Sequence, residues 1–340
     1  MKLNILPKTF YVLFLWLILL FALPNNSHAF VRGIYVTQTT LESTPTIKYL
    51  IANAKEVGIG TFVIDYDRMS KRTQQNIALV KEAGIRFVAR IVMFPYGALP
   101  SQVSSEAYLA RRFRQIQEAV SLGADTIQLD YIRYRSSQHG SSQNAIDIYG
   151  IIDKIRKQLE TKGVSLEVDV FGEATLFEAK YIGQNVQLFA QAVDAICPMV
   201  YPSHYFPYAF HARRPYETVY NSLSSLRRQI SGYPDVHVYA YIELFNFRFP
   251  LSRNAKIQYI LDEFRAVRDA HADGWYAWSA TNKYRLLFYI LAQRKNADGI
   301  VSIPAKDSNV KDSDVEEKDF TKEKEADNSA TTKDKPSIKK

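Results

Sequence analysis

Acidic residues close several short apolar runs in this 340-residue chain, and arginines and aromatic side chains accompany them. Asp65 closes VID, with Asp67 just beyond it. Asp130 closes TIQLD and is followed by Tyr131 and Arg133. Asp169 lies within SLEVDVF, and Glu173 follows in GEAT. Glu243 stands in HVYAYIELF, and Arg90 in RFVARIVMF. Tyr201, His204 and Tyr205 follow AICPM, and Trp275 and Trp278 stand in GWYAW. An acid at the end of a buried run is costly unless it has a partner or a chemical role. Two carboxyl groups flanking a glycosidic bond can have such a role, in which one protonates the leaving oxygen and the other attacks or activates water. A neighbouring arginine keeps one carboxylate ionised, while burial or like charge raises the pKa of the other. Aromatic faces stack on sugar rings, and this chain has 22 Tyr.

Each residue also has a plainer reading. Asp130 can be one half of a buried ion pair with Arg90 or Arg133. Glu173 can point to solvent from a loop, and Asp169 can hydrogen-bond within a core. His204 can orient a neighbour rather than react. Strands alternate faces, so Trp275 and Trp278 cannot both point to one side, and one of them is core packing. Other chemistries find less support. The histidines at 139, 204, 211, 237 and 271 show no ligand spacing, and there is no HExxH or CxxC. No GxSxG elbow is present, and VRGIYVTQTT carries no phosphate-binding glycine pattern. No cofactor or metal is expected, and nucleic acid is not an expected partner.

The elements that must hold these residues alternate. Strands are expected at Val31–Thr37, Thr61–Tyr66, Arg86–Phe94, Thr126–Tyr134, Ser165–Gly172, Ala195–Tyr201, His237–Phe245 and Gly274–Ala280. Helical patterns lie between them, at Thr44–Val57, Thr73–Ala83, Glu106–Leu122, Gln143–Lys162, Gly183–Ala192, Pro215–Ile230 and Arg253–His271. Gly58, Gly60, Gly84, Gly123 and Gly163 stand at helix-to-strand junctions, where a left-handed residue is wanted. Eight β/α repeats in one block predict an α/β fold of the (β/α)8 TIM-barrel type, with its site at the C-terminal strand ends.

The two ends differ from the body. Residues 1–29 carry Lys2 and Lys8, an apolar stretch from Phe10 to Leu23, and Ser27-His28-Ala29. This reads as an export signal cleaved after Ala29, which predicts a periplasmic or secreted protein with no stable membrane span after cleavage; the alternative is an uncleaved anchor. Residues 30–304 form the barrel. Residues 305–340 read as a disordered charged tail, with nine Lys against ten Asp and Glu. The body keeps 32 basic against 25 acidic residues, an excess compatible with an acidic polymer but also with ordinary solubility. The single Cys197 reads as a packed core thiol.

The segments VRGIYVT, VIDYD, GIRFVARIVMF, QLDYIRY, VDVFG, GQ, CPMVYPSHY and GWYAWSATNKY, in that order, resemble a bacterial family of glycoside hydrolases long catalogued as a domain of unknown function. The resemblance runs from Val31 to Tyr284 and implies a barrel distantly similar to the alpha-amylase-like glycosidases. By that likeness Asp130, ending the fourth strand, would be the nucleophile, and Glu173 after the fifth the acid/base. The family often carries an aromatic residue after the VDVFG glycine, which makes Asp169 the more typical carboxylate. Glu243 stands where a glutamine is expected. The implied function is an exported glycosidase acting on a polysaccharide or oligosaccharide. Arg90 and Arg133 would position Asp130, while Asp65, Tyr201, His204, Tyr205, Glu243 and Trp278 would bind substrate. The rival is a catalytically inactive glycan-binding barrel of the cell envelope. A phosphodiester-cleaving barrel would use the basic excess but lacks a metal cluster or His pair.

Overall fold

The computed structural model describes residues 29–295 apart from 137, 138 and 246. The expected export signal, save Ala29, and the expected tail lie outside these residues.

Eight parallel strands close into a barrel in sequence order. They are β1 (Val31–Val36), β2 (Thr61–Asp65), β3 (Arg86–Val92), β4 (Thr126–Asp130), β5 (Ser165–Phe171), β6 (Ala195–Met199), β7 (His237–Glu243) and β8 (Gly274–Trp278). The helices are α1 (Gln38–Leu41), α2 (Thr44–Glu56), α3 (Lys71–Glu82), α4 (Pro100–Val103), α5 (Glu106–Ser121), α6 (Ser142–Leu159), α7 (Val186–Phe189), α8 (Tyr208–Ala212), α9 (Pro215–Gln229), α10 (Arg253–Asp269) and α11 (Arg285–Lys295). β1 pairs with both β2 and β8, which closes the sheet. This is the (β/α)8 TIM barrel that the alternating runs predict.

Local chemistry sets the helix starts. The hydroxyls of Ser70, Ser105, Ser141 and Ser252 each accept a backbone N–H in the first turn of the helix that follows. Gly84 and Gly123 take φ of +74° and +79° on the way into β3 and β4, a region that costs glycine little.

Alternation then sorts the strand residues. Phe62, Ile64, Phe87, Ile91, Ile127 and Leu129 join one buried cluster with helix residues such as Ile47, Leu50, Ile77 and Val80. Val63, Val88, Cys197, Tyr239, Tyr241 and Tyr276 form a second cluster, inside the barrel. Trp275 packs on Phe264 of α10, with ring centres 4.8 Å apart, whereas Trp278 belongs to the inner set.

The barrel floor is polar. Glu167 accepts from Gln128 Nε2 at 2.9 Å, from the Tyr276 hydroxyl at 3.1 Å and from Arg86 Nη2 at 2.8 Å. The Tyr241 hydroxyl donates to Gln128 Oε1 at 2.6 Å. Gly33 makes room for this arrangement, since a Cβ there would come within 2.6 Å of the Tyr276 ring. The thiol of Cys197 is fully buried against Glu167.

Two expected elements are corrected. The strand expected through Tyr134 stops at Asp130, because Tyr131 adopts φ +50° and turns the chain out of the sheet. The helix expected at Gly183–Ala192 shortens to α7, since Gly183 has φ +68° and Asn185 caps the helix only at Val186. Among the described residues no helix is long and apolar enough to cross a membrane.

Candidate active site

Alternation along β3 places Arg86, Val88 and Arg90 on the inner face, with Arg90 nearest the C-terminal rim. Asp65 stands beside it in register on β2. The Arg90 guanidinium is 5% exposed and bonds Asp65 through Nη1 and Asp130 through Nη2. Asp169 Oδ2 lies 3.8 Å from its Nε. Three carboxyl groups therefore surround one cation.

The imbalance shows in their acidities. Burial pushes the Asp169 carboxyl well above the usual carboxylate range, and the Asp130 charge adds to the effect. Burial raises Asp65 as well, with Arg90 and the Tyr35 hydroxyl working against the rise. Burial opposes the charge on Arg90, yet Asp130 and Asp65 more than offset it. The Tyr35 hydroxyl donates to Asp65. Tyr35 and Trp278 stack at 3.9 Å, and Arg90 lies over both rings. Asp169 Oδ1, Arg90 Nε and the Tyr201 hydroxyl have no hydrogen-bond partner among the described residues.

The rim above this cluster carries the second acid. The backbone N–H of Tyr131 donates to Asp130 Oδ1 at 2.5 Å. Arg133 lies 4.8 Å over the Phe171 ring and 5.6 Å over Tyr131, and its Nη1 donates to the Tyr134 carbonyl at 2.9 Å. Burial pushes its guanidinium down, and the nearby carboxylates of Asp130 and Glu173 work against that.

Glu173 is half-buried on the 3-10 turn Gly172–Thr175. It accepts from the Tyr181 hydroxyl. Burial raises its carboxyl, and Arg133 pulls it back down.

The other expected site residues divide. Tyr201 is buried and feels both Asp169 and Asp130. His204 is exposed, with its ring 5.5 Å from Tyr201. Tyr205 is buried beneath Gly172, and its hydroxyl accepts from Ser222 Oγ at 2.9 Å, so it supports the Glu173 turn.

Glu243 stands apart from the Arg90 group. It is fully buried, Oε2 accepts from Ser203 N at 3.0 Å, and its own N–H donates to Glu263 of α10 at 3.0 Å. Burial pushes its carboxyl up to about 8.

Sequence reasoning passed over Tyr35 and Tyr181. Tyr35 was readable from its alternation with Gly33 in VRGIYV; Tyr181 lies in a loop and carried no such signal. Among the described residues no group of three or more His, Cys, Asp or Glu could hold a metal ion.

Fold and rim together are those of a (β/α)8 barrel with acids at its C-terminal strand ends. The chain belongs to the family described as "Putative glycosyl hydrolase domain", which matches residues 113–284. No curated protein sequence matches it. Its fold is similar to that of the spore cortex-lytic enzyme SleL of Bacillus megaterium, at 11% identity and a TM-score of 0.58 over 78% of this chain and 74% of that one. A class V chitinase of Pseudomonas fluorescens is similar at 12% identity and a TM-score of 0.56, over 77% and 98%. A chitinase of Chromobacterium violaceum gives 10% and 0.56, over 78% and 98%. The family supports glycoside hydrolase function and implies a carbohydrate substrate.

Proposed function

We propose that this protein is an exported glycosidase that cleaves O-glycosidic bonds of a polysaccharide with a carboxyl pair. Asp130, ion-paired to Arg90, is the nucleophile or charge stabiliser. Glu173 is the general acid, because burial raises its carboxyl and so favours the protonated form that a leaving oxygen needs. Asp169 is the buried neighbour of this pair, its carboxyl held well above the usual range by burial. The observation that carries this reading is the Arg90 guanidinium at the C-terminal rim, ion-paired to Asp130 with Asp169 beside it. Export rests on the apolar stretch from Phe10 to Leu23.

The test is a hydrolysis screen over polysaccharides, with the wild type beside Asp130→Asn. Chitin and spore cortex belong in it, since enzymes named for them share this fold. Loss of cleavage on the order of 10³-fold with an unchanged fold is expected. Undiminished turnover by the variant overturns the assignment.

One observation favours the rival reading of a glycan-binding barrel without catalysis. Asp130 is 3% exposed, and both its oxygens are engaged, by Arg90 and by Tyr131 N–H. That reading predicts glycan binding without products, unchanged by Asp130→Asn.

A further inference from the structure

The loops after β6 and β7 differ in character from the rest of the rim. Residues 200–214 and 244–252 contain no Asp or Glu, yet they hold Arg213, Arg214 and Arg248. Large aromatic side chains stand open to solvent there: Phe206 is 81% exposed, Tyr208 46% and Phe210 51%. A concentration of exposed aromatic surface marks a place of contact.

The arginines and the rings are organised together. Arg248 lies 4.4 Å over Tyr208, Arg214 4.0 Å over Phe210, and Arg213 5.1 Å over Phe249. Among the described residues none of the three forms an ion pair. Arg248 also ties the two loops together, since its Nε donates to the Ser203 carbonyl at 2.8 Å. It does so from a left-handed backbone, φ +63°, which is strained for a non-glycine residue.

The patch runs into the site already described. Tyr201, which feels Asp169 and Asp130, meets the His204 and Phe245 rings at 5.5 and 5.7 Å. His204 then leads directly into the exposed segment 206–210.

We propose that the loops after β6 and β7 form a subsite for a polysaccharide that bears carboxylates on its sugar rings. A guanidinium stacked on an aromatic face keeps its in-plane N–H donors free, and they match a carboxylate in two-pronged fashion. A sugar ring laid on Phe206 or Tyr208 brings a carboxylate on that same ring beside the arginines. A neutral glycan would use the rings and leave Arg213 and Arg214 without an acidic counterpart. This inference deepens the glycosidase reading and rests on it for the direction of the chain toward Asp130.

The experiment is affinity electrophoresis of the full chain through gels containing polygalacturonate, neutral dextran or inorganic polyphosphate. Retardation by polygalacturonate is expected, with little by the other two. The Arg213→Gln, Arg214→Gln double variant and Phe206→Ser should each weaken it about tenfold. Equal retardation by dextran or polyphosphate overturns the proposal, as does wild-type retardation of those variants. Retardation by polygalacturonate with no hydrolysis of any glycan would sink the glycosidase reading and leave the subsite standing. Hydrolysis of neutral glycans with unaltered variants would do the reverse.

Discussion

The guanidinium carbon of Arg90 lies 5.3 Å from the centre of the Trp278 ring. With Tyr35 stacked on the same tryptophan, the arginine is screened from water on its aromatic side. Its bonds to Asp65 and Asp130 are therefore made in a medium where charges interact strongly. Arg90→Gln leaves Asp65, Asp130 and Asp169 without their cation. A loss of about 3–5 kcal/mol is expected near neutral pH. Asp65 and Asp169 are already raised and take up protons readily once the cation is gone, so the loss should shrink in mild acid. Urea unfolding of both proteins at pH 7 and pH 5 measures the difference; an equal loss at both values would contradict the charge argument.

Glu173 sets the alkaline limit of activity if it is the acid. Its carboxyl is raised, so it stays protonated to higher pH than a free glutamate and loses its proton as pH climbs through its folded pKa. Arg133 pulls that value down. Arg133→Gln should thus move the alkaline limb of the kcat/KM profile to higher pH, while Glu173→Gln should lower kcat about 10²- to 10⁴-fold. A limb that stays in place in Arg133→Gln would separate the two residues.

Glu243 gives a stability signal. A free glutamate ionises near 4.5, whereas this one is pushed up to about 8. Between those values the unfolded chain binds fewer protons than the folded one, so stability falls as pH rises. Glu243→Gln has no proton to lose, and its stability curve should be flatter over the same window. The gain over wild type at pH 8 is on the order of 3 kcal/mol. Thermal denaturation from pH 4.5 to 8 reads it, and parallel curves for the two proteins would refute the burial account.

Gly172 is a packing position. A Cβ there would run into the Tyr205 hydroxyl and lie 2.8 Å from the Met199 carbonyl. Gly172→Ala should cost about 1–3 kcal/mol. It should also lower kcat, by displacing the turn that carries Glu173. Full activity and an unchanged melting temperature would show that the turn has slack.

The barrel was legible because its strands alternate cleanly. TFVID, RFVARIV and TIQLD each put one polar residue on the inner face near the rim, and parity alone brings Asp65, Arg90 and Asp130 to one side. The end of β4 was not legible. Nothing in DYIRY forbids extended backbone, and it is the Tyr131 turn, bonded to Asp130, that stops the strand. Glu243 shows a different limit. Its parity matches Tyr241, but its surroundings come from Glu263 on α10 and Ser203 after β6, which no spacing within β7 reveals. Tyr205 reads as a rim tyrosine in PSHY, yet the distant Ser222 engages its hydroxyl.

The floor of Glu167, Gln128, Tyr241, Tyr276 and Arg86 works as a key for assembly. Oily layers can slide over one another at modest cost, but bonds with direction are lost together when one strand slips. A slip of β5 by a single residue would turn Glu167 out toward the helices. It would strand the Gln128 amide, the Tyr276 hydroxyl and the Arg86 guanidinium that now share its carboxylate.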